Sequence, residues 1–211
     1  MDRGEADEGL AAFEKLLSIA GENKETFNNL GSACAEYALF DAAARYYERA
    51  LGLDPEYVLS LRNLGKLCME TEQYEKALNL FERLVKKLPR DYEGNWLIAQ
   101  CLKNLRRADD ALVQLQQLAE IAPQSDEVYR EMGMIYLNQK RDMESARRMF
   151  ARSLSLDPNQ PDLAMLMTQQ QGRIEAPAGM PELVPPMPGV TTPVPQPPFP
   201  QIPQIPPTPG R

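Results

Sequence analysis

The chain has 211 residues, of which 43% are hydrophobic and 25% are charged, with a formal net charge of -7 at pH 7. This composition is ordinary for a globular protein, and the length allows one or two domains. The sequence contains no histidine, which excludes Ser-His-Asp and Cys-His catalysis and histidine-ligated metal sites. It also lacks phosphate-binding glycine loops, and its cysteines have neither CxxC nor zinc-type spacing. We therefore predict that the chain is not an enzyme and needs no cofactor or metal ion.

The N-terminal residues and the hydropathy of the chain bear on the cellular compartment of the protein. The stretch MDRGEADEGL is acidic, and Glu14 and Lys15 interrupt the apolar residues that follow it. This segment therefore lacks the basic start and the continuous apolar run of a secretory signal. No window of about 18 apolar residues occurs, so no direct membrane insertion is expected. These features predict a cytoplasmic protein.

Proline recurs with a fixed period through the middle of the chain. Pro55, Pro89 and Pro123 lie 34 residues apart, and Pro158 follows after 35. Segments aligned on these prolines share a small residue, an alanine and a large apolar residue. The aligned positions are Leu30-Gly31, Leu64-Gly65, Ile98-Ala99 and Met132-Gly133, then Ala43, Ala77, Ala111 and Ala146, then Tyr47, Phe81, Leu115 and Phe150. A period of this length predicts a stack of helical repeats.

Each repeat predicts a helical hairpin. Apolar residues at spacings of three and four indicate two amphipathic helices, for example over residues 24–37 and 40–52. Small residues such as Gly31 and Gly65 would let the paired helices approach closely. Proline ends the second helix because it cannot continue the hydrogen-bond ladder. Since each hairpin leaves an apolar face uncovered, neighbouring hairpins must stack to form a core.

These residues resemble the tetratricopeptide repeat (TPR) family, whose pattern is W-x2-L-G-x2-Y, then A-x3-F, then P. The resemblance covers about residues 9–160. The sequence departs from the pattern where Cys34, Cys68 and Leu102 replace the second aromatic residue, and where the last unit has one extra residue in the stretch NQKRDMESA. The resemblance implies an all-α fold, a right-handed superhelical solenoid of TPR hairpins, with a concave groove that binds protein partners.

In chain order, the pattern predicts a half-repeat helix, four TPR units and a capping helix. Their boundaries are 1–23 for the half-repeat, 24–57, 58–91, 92–125 and 126–160 for the four units, and 161–173 for the capping helix. The half-repeat leaves two interpretations open: the protein begins with a cap, or the chain lacks an upstream part. Residues 174–211 hold 14 of the 19 prolines, which predicts a disordered proline-rich tail.

The single tryptophan lies one residue away from its expected slot. The first core slot of the unit 92–125 holds Asn95, and Trp96 follows it. One step along a helix rotates a side chain by about 100°, and the resemblance implies that this next slot lines the groove. Either Trp96 anchors a ligand there, or the helix is rotated so that Trp96 packs in the core and Asn95 escapes burial. The predicted groove residues are Asn29, Arg62, Asn63, Lys66, Met69, Trp96, Gln100, Lys103, Arg130, Met134 and Leu137.

Two ligand-binding arrangements of TPR proteins can be compared with these slots. Asn29 and Asn63 occupy equivalent slots, where asparagines hold a peptide backbone in some TPR proteins. Asparagine is also common at this slot in TPR proteins generally, so both interpretations stay open. The carboxylate clamp of chaperone-binding TPR domains needs a lysine in its third unit, where this chain has Glu93 or Glu127. We therefore predict no binding to the C-termini of heat-shock chaperones.

The proline-rich tail carries a candidate ligand motif. The final string PPTPGR fits the PxxPx-basic form that the aromatic grooves of SH3-type domains bind, with Pro206, Pro209 and Arg211 as the candidate residues. Such matches arise easily in any proline-rich segment. A semi-rigid tether is therefore the alternative role for the tail.

These features together predict a non-catalytic adaptor or scaffold that binds a protein or peptide in the TPR groove, with the tail as tether or second ligand. Two alternatives are a structural protein that self-assembles into a homo-oligomer and an accessory module of a larger enzyme or secretion machine. Basic residues cluster at predicted helix ends, where they offset the helix dipole, so no nucleic acid is expected as a partner. Arg62→Glu or Trp96→Ala should weaken ligand binding without unfolding the protein.

Overall fold

The computed structural model describes residues 15, 17–19 and 21–172, and of residues 168–172 it describes only the helical backbone. Throughout this described part the regular secondary structure is helical, without a strand. Residues 15 and 17–19 are helical as well. Residues 1–14, 16 and 20 of the predicted half-repeat, residue 173 of the predicted capping helix and the whole proline-rich tail lie outside the described residues. The complete helices are α1 (Lys24–Glu36), α2 (Phe40–Leu53), α3 (Val58–Glu70), α4 (Tyr74–Lys87), α5 (Tyr92–Asn104), α6 (Ala108–Ile121), α7 (Asp126–Ile135), α8 (Met143–Leu156) and α9 (Pro161–Gly172).

The helices pack in chain order. Helices α1 and α2, α3 and α4, α5 and α6, and α7 and α8 form four hairpins, and each even-numbered helix up to α6 also packs against the odd-numbered helix that follows it. One cluster of buried side chains extends from Cys34 on α1 to Ile135 on α7. Ala146, Phe150 and Leu163 form a second cluster at the C-terminal end. The predicted all-α stack of helical hairpins is confirmed. Among the described residues, no helix is both long and apolar enough to cross a membrane.

In three of the four hairpins, a glycine on the odd-numbered helix packs closely against an aromatic ring on the even-numbered helix. A Cβ atom added to Gly65 would lie 2.5 Å from Cε1 of the buried Phe81. A close-packed interior leaves no room for that methyl group. The third hairpin has Ala99 and Leu115 in the same two slots, so a larger residue on α5 faces a smaller side chain on α6. The three glycine–ring pairs are Gly31–Tyr47, Gly65–Phe81 and Gly133–Phe150.

One residue in the left-handed conformation turns the chain between the two helices of each hairpin. The residues are Ala38, Glu72, Arg106 and Arg141, with φ values of 56°, 59°, 61° and 55°. The extra residue of the fourth unit is absorbed before this turn. There the end of α7 widens into a π-helical turn, Tyr136–Lys140. A π-helical turn accommodates an inserted residue without interrupting the helix, so the fourth hairpin keeps the turn geometry of the other three.

Candidate binding groove

The odd-numbered helices α1, α3, α5 and α7 share a face that is turned away from the core. Slots are counted here from the first residue of each helix. At about 100° per residue, slots 2, 5, 6, 9, 12 and 13 fall within roughly a third of the helix circumference, away from the core slots 4, 7, 8 and 11. We call this surface the groove face. Ten of the eleven predicted groove residues occupy its slots, and Leu137 lies beyond the end of α7 in the π-helical turn Tyr136–Lys140. Ion pairs between α3 and α5 and between α5 and α7 cross the face.

Asn95 occupies the core slot from which the tryptophan is displaced. Its side chain is only 6% exposed. Its amide nitrogen donates to the carbonyl oxygens of Pro89 at 3.1 Å and Asp91 at 2.8 Å, and its Oδ1 accepts from Nε2 of Gln114 at 2.7 Å. Because these bonds satisfy both ends of the amide, the burial costs little. The alternative in which Asn95 escapes burial through rotation of α5 is therefore wrong.

Trp96 lies half-buried beside the core. Its ring stacks on Tyr92, with centroids 6.4 Å apart and an angle of 8° between the ring planes. At slot 5 of α5 it belongs to the groove face. The stacking holds the indole in place while part of it stays accessible to solvent.

Asn95 also lines a cleft behind α5. This cleft of about 630 Å³ lies between α4, α5 and α6, lined by Asn95, Ile98, Val113 and Gln117 among others. The equivalent slots of the first hairpin hold an aromatic ring covered by a guanidinium. The aromatic–arginine pairs are Phe27 with Arg49, at 4.1 Å from ring centroid to Cζ, and, in the fourth hairpin, Tyr129 with Arg152, at 5.5 Å. The third hairpin has Asn95 and Gln117 in these two slots.

Ion pairs to the next hairpin hold the cations in the middle of the groove face. Arg62 on α3 pairs with Asp91 at 3.1 Å and also with Glu93, and Lys66 reaches the same Glu93. Asp91 in addition caps α5, since it accepts from the backbone N–H of Gly94 at 2.7 Å. Arg62 is only 18% exposed, whereas Lys66 is 48% exposed. Arg62 is therefore a structural link between α3 and α5 as well as a groove residue.

Further along the face, Lys103 on α5 pairs with Glu131 on α7 at 2.6 Å. Arg130, one residue before that glutamate, is exposed and forms no ion pair with any residue that the structure describes. Of the four predicted groove cations, Arg130 alone thus keeps its charge unmatched within the described part of the chain. The sequence did not indicate which acidic residues would neutralise the other three.

The asparagines of the first two hairpins differ in environment. Asn29 is exposed, whereas Asn63 donates to Oδ1 of Asn28 at 3.1 Å and to Oγ of Ser32 at 3.4 Å. The same Oδ1 accepts from the buried Ser60 hydroxyl at 3.1 Å. The amide nitrogen of Asn63 therefore links α3 to α1 through hydrogen bonds. Of the two asparagines, Asn29 is the one with an exposed side chain.

Apolar side chains on the groove face complete the candidate site. Met134 is exposed, whereas Met69 and Leu137 are half-buried against the core. The polar Gln100 is half-buried as well. Leu59 at slot 2 of α3 is 50% exposed and was not among the predicted groove residues. A signal for it existed, because the other three units have glutamate at this slot.

The tail motif of Pro206, Pro209 and Arg211 lies outside the described residues and stays a prediction.

The environment of Glu93 shifts its acidity. The hydrogen bond from Lys66 is the largest influence and lowers the pKa of Glu93, partial burial opposes it, and the charge of Arg62 lowers the pKa further. The net result is a pKa below the ordinary value of 4.5. Glu93 therefore stays ionised at mildly acidic pH and keeps α3 tied to α5.

We expect acid to weaken the fold through this residue. Because the pKa of Glu93 is lower in the folded than in the unfolded protein, its contribution to stability is complete above the unfolded pKa of about 4.3 and is lost as the pH falls through the folded pKa. Urea denaturation between pH 7 and about pH 3 should show a smaller loss of stability for Glu93→Gln than for the wild type. Glu70→Gln on the same face is the control and should follow the wild type. Equal pH slopes for Glu93→Gln and the wild type would contradict this assignment.

The thiols do not form a reactive centre. Cys34, Cys68 and Cys101 are buried and unoxidised. Burial raises the pKa of all three thiols, and that of Cys101 to about 12. A thiol is nucleophilic only as thiolate, so these side chains pack as small apolar groups. The described residues contain no cluster of three or more acidic or cysteine side chains suited to a metal ion.

Stacked helical hairpins with an outward face of mixed apolar and charged side chains define a helical-repeat scaffold. A family profile for the tetratricopeptide repeat matches residues 38–101, 69–135 and 104–169. The chain therefore belongs to the TPR family. Proteins of this family are protein-interaction modules. The predicted resemblance to the TPR family is therefore confirmed.

Solved structures share this fold. MamA (residues 41 to the end) from Desulfovibrio magneticus RS-1 superposes with a TM-score of 0.65 at 20% identity, over 75% of this chain and 89% of that chain. MamA from AMB-1 gives 0.63 at 22% identity, over 77% and 89%. A chain of the APC/C hetero-tetramer Cut9–Hcn1 gives 0.59 at 18% identity, over 79% of this chain and 33% of that one. A sequence search of curated proteins finds no match. These identities establish the fold alone.

Proposed function

We propose that this chain is a non-catalytic TPR scaffold that binds a peptide segment of a partner protein on its groove face. The observation that carries the proposal is the exchange of Asn95 and Trp96. The chain buries a hydrogen-bonded amide in a core slot, and its only tryptophan is half-buried at slot 5, next to that core slot. Partly exposed aromatic rings are the side chains that most often anchor protein interfaces.

The test is affinity capture with the full chain and two matched variants. Trp96→Ala removes the anchor on the groove face, and Val113→Ala removes an exposed apolar side chain on α6, outside the groove face. Partners captured by the wild type and by Val113→Ala should be lost with Trp96→Ala. Thermal unfolding followed by circular dichroism verifies that both variants fold. An unchanged set of partners with Trp96→Ala would show that the groove is not the binding site.

For residues 174–211 we propose the role of tether or second ligand. The support is the sequence alone: a proline-rich segment with interleaved apolar residues and a C-terminal PxxPx-basic string. Replacing Pro206, Pro209 and Arg211 together by alanine in the full chain should remove a second set of partners, distinct from those that depend on Trp96. If no partner depends on these three residues, the role of tether remains.

A further inference from the structure

We infer that the segment bound on the groove face is basic, and that it carries apolar side chains between its cations. This inference rests on the proposed function and adds the chemistry of the partner. It comes from the balance of charge on the groove face, where carboxylates of neighbouring hairpins neutralise three of the four cations and most of the glutamates form no ion pair with a described residue.

The cations at the centre of the groove face are already occupied. Arg62 and Lys66 share Glu93, and Lys103 holds Glu131. An acidic ligand would compete for these cations with carboxylates that belong to the neighbouring helices. Each displaced carboxylate would lose its partner while partly buried, which is unfavourable. The centre of the face therefore acts toward a ligand as a neutral surface.

The remaining charge on the face is negative. Four exposed glutamates occupy slots 2 and 13 and form no ion pair with a described residue: Glu25, Glu36, Glu70 and Glu127. Arg130 is the opposing cation on the face, and Arg106 lies at its edge in the turn after α5. Unmatched carboxylates at both ends of the odd-numbered helices favour a ligand with cations and oppose an acidic one.

A cleft at the C-terminal end of the face fits a cationic side chain. It lies between α7 and α9, is open to solvent with a volume of about 600 Å³, and has Asp126, Glu127, Asp157 and Asp162 among its lining residues, together with Arg130 and the apolar Leu166. A lysine or arginine can lay its aliphatic stem on the apolar wall and direct its charge toward the carboxylates. Four carboxylates against one guanidinium leave the cleft net negative.

The accessible apolar residues define the other half of the ligand. The exposed Leu59 on α3 and the half-buried Trp96 on α5 lie, along the stack, between the glutamates of α1 and Glu127 of α7. A segment that lies along the face would thus meet carboxylates at its ends and apolar side chains between them. Such a segment has basic residues flanking one or two large apolar residues.

The test selects ligands from a library of random peptides displayed on phage, with the full chain as bait. The peptides selected should carry net positive charge and a large apolar residue, and higher ionic strength should weaken their binding because the attraction is screened. The double variant Glu127→Gln/Asp162→Gln should bind them about tenfold more weakly, which corresponds to about 1.4 kcal/mol. The control Glu82→Gln/Glu120→Gln removes the same charge from exposed sites on α4 and α6 and should bind them as the wild type does.

The outcomes separate this inference from the proposed function. Acidic or neutral peptides that bind the wild type and are lost with Trp96→Ala would leave the groove as the binding site and overturn the inference of a basic ligand. Basic peptides whose affinity is unchanged in Glu127→Gln/Asp162→Gln would also overturn it, because the carboxylates would then play no part. If no selected peptide depends on Trp96, both the proposed function and the inference fail.

Discussion

Gly65→Ala should lower the free energy of unfolding by about 2–3 kcal/mol, near the upper end of what overpacking costs in a core. The added methyl group would lie 2.5 Å from Cε1 and 2.7 Å from Cζ of Phe81. Phe81 is fully buried and cannot rotate away without disturbing its own neighbours. The hairpin of α3 and α4 would have to open to accept the new atom. Urea denaturation of the variant and the wild type measures the difference.

Gly52→Ala is the control for this prediction, and Gly65→Ala combined with Phe81→Leu tests whether a smaller side chain at position 81 restores stability. Gly52→Ala, near the end of α2, adds a methyl group with nothing within 4 Å, and should raise stability by about 0.5–1 kcal/mol because alanine is the better helix former. Gly65→Ala combined with Phe81→Leu recreates the pair that Ala99 and Leu115 form in the third hairpin. The double variant should therefore be more stable than the sum of the single losses predicts. If the stability losses of Gly65→Ala and Phe81→Leu are strictly additive, the ring of Phe81 does not limit the size of the side chain at position 65.

The periodic residues of the sequence were sufficient to predict the hairpins. Glycine at 31, 65 and 133 has an aromatic ring as its partner 16 or 17 residues later, and the structure brings each pair into contact. Such contacts lie within one repeat and follow from helix geometry alone. A 34-residue period therefore predicts the all-α stack without any knowledge of how one repeat is placed on the next.

The electrostatics of the groove face depend on that placement, and the sequence did not predict them. Arg62 meets Glu93 across 31 positions, a contact between slot 5 of one helix and slot 2 of the next. Whether those slots meet is set by the offset and tilt between neighbouring hairpins. The same slot also varies along the stack: Asn28 is buried under bonds from Ser60 and Asn63, while Arg130 is exposed. Slot identity thus predicts which face a residue occupies, and the residues of the next repeat decide whether it is accessible to a ligand.

Arg62→Glu should destabilise the protein by about 2–4 kcal/mol, slightly less than the loss of one partner from a fully buried ion pair. The sequence alone suggested that this change would spare the fold. The structure shows otherwise, because a glutamate at position 62 would be placed against Asp91 and Glu93 with little access to solvent. Repulsion among three carboxylates would also loosen the start of α5, which Asp91 caps. Thermal and urea unfolding should both record the loss.

Two further variants distinguish loss of this link from a general effect of charge. Arg130→Glu makes the same change at slot 5 of α7, where the arginine is exposed and has no ion-pair partner among the described residues, so its stability should stay within about 0.5 kcal/mol of the wild type. Arg62→Glu combined with Glu93→Arg restores an attraction across α3 and α5 and should recover part of the loss, which a double-mutant cycle measures. If Arg62→Glu and Arg130→Glu unfold at the same urea concentration, the ion pairs of Arg62 do not hold the hairpins together. In that case Arg62 contributes to the groove face through its charge alone, and its substitution becomes a clean probe of ligand binding.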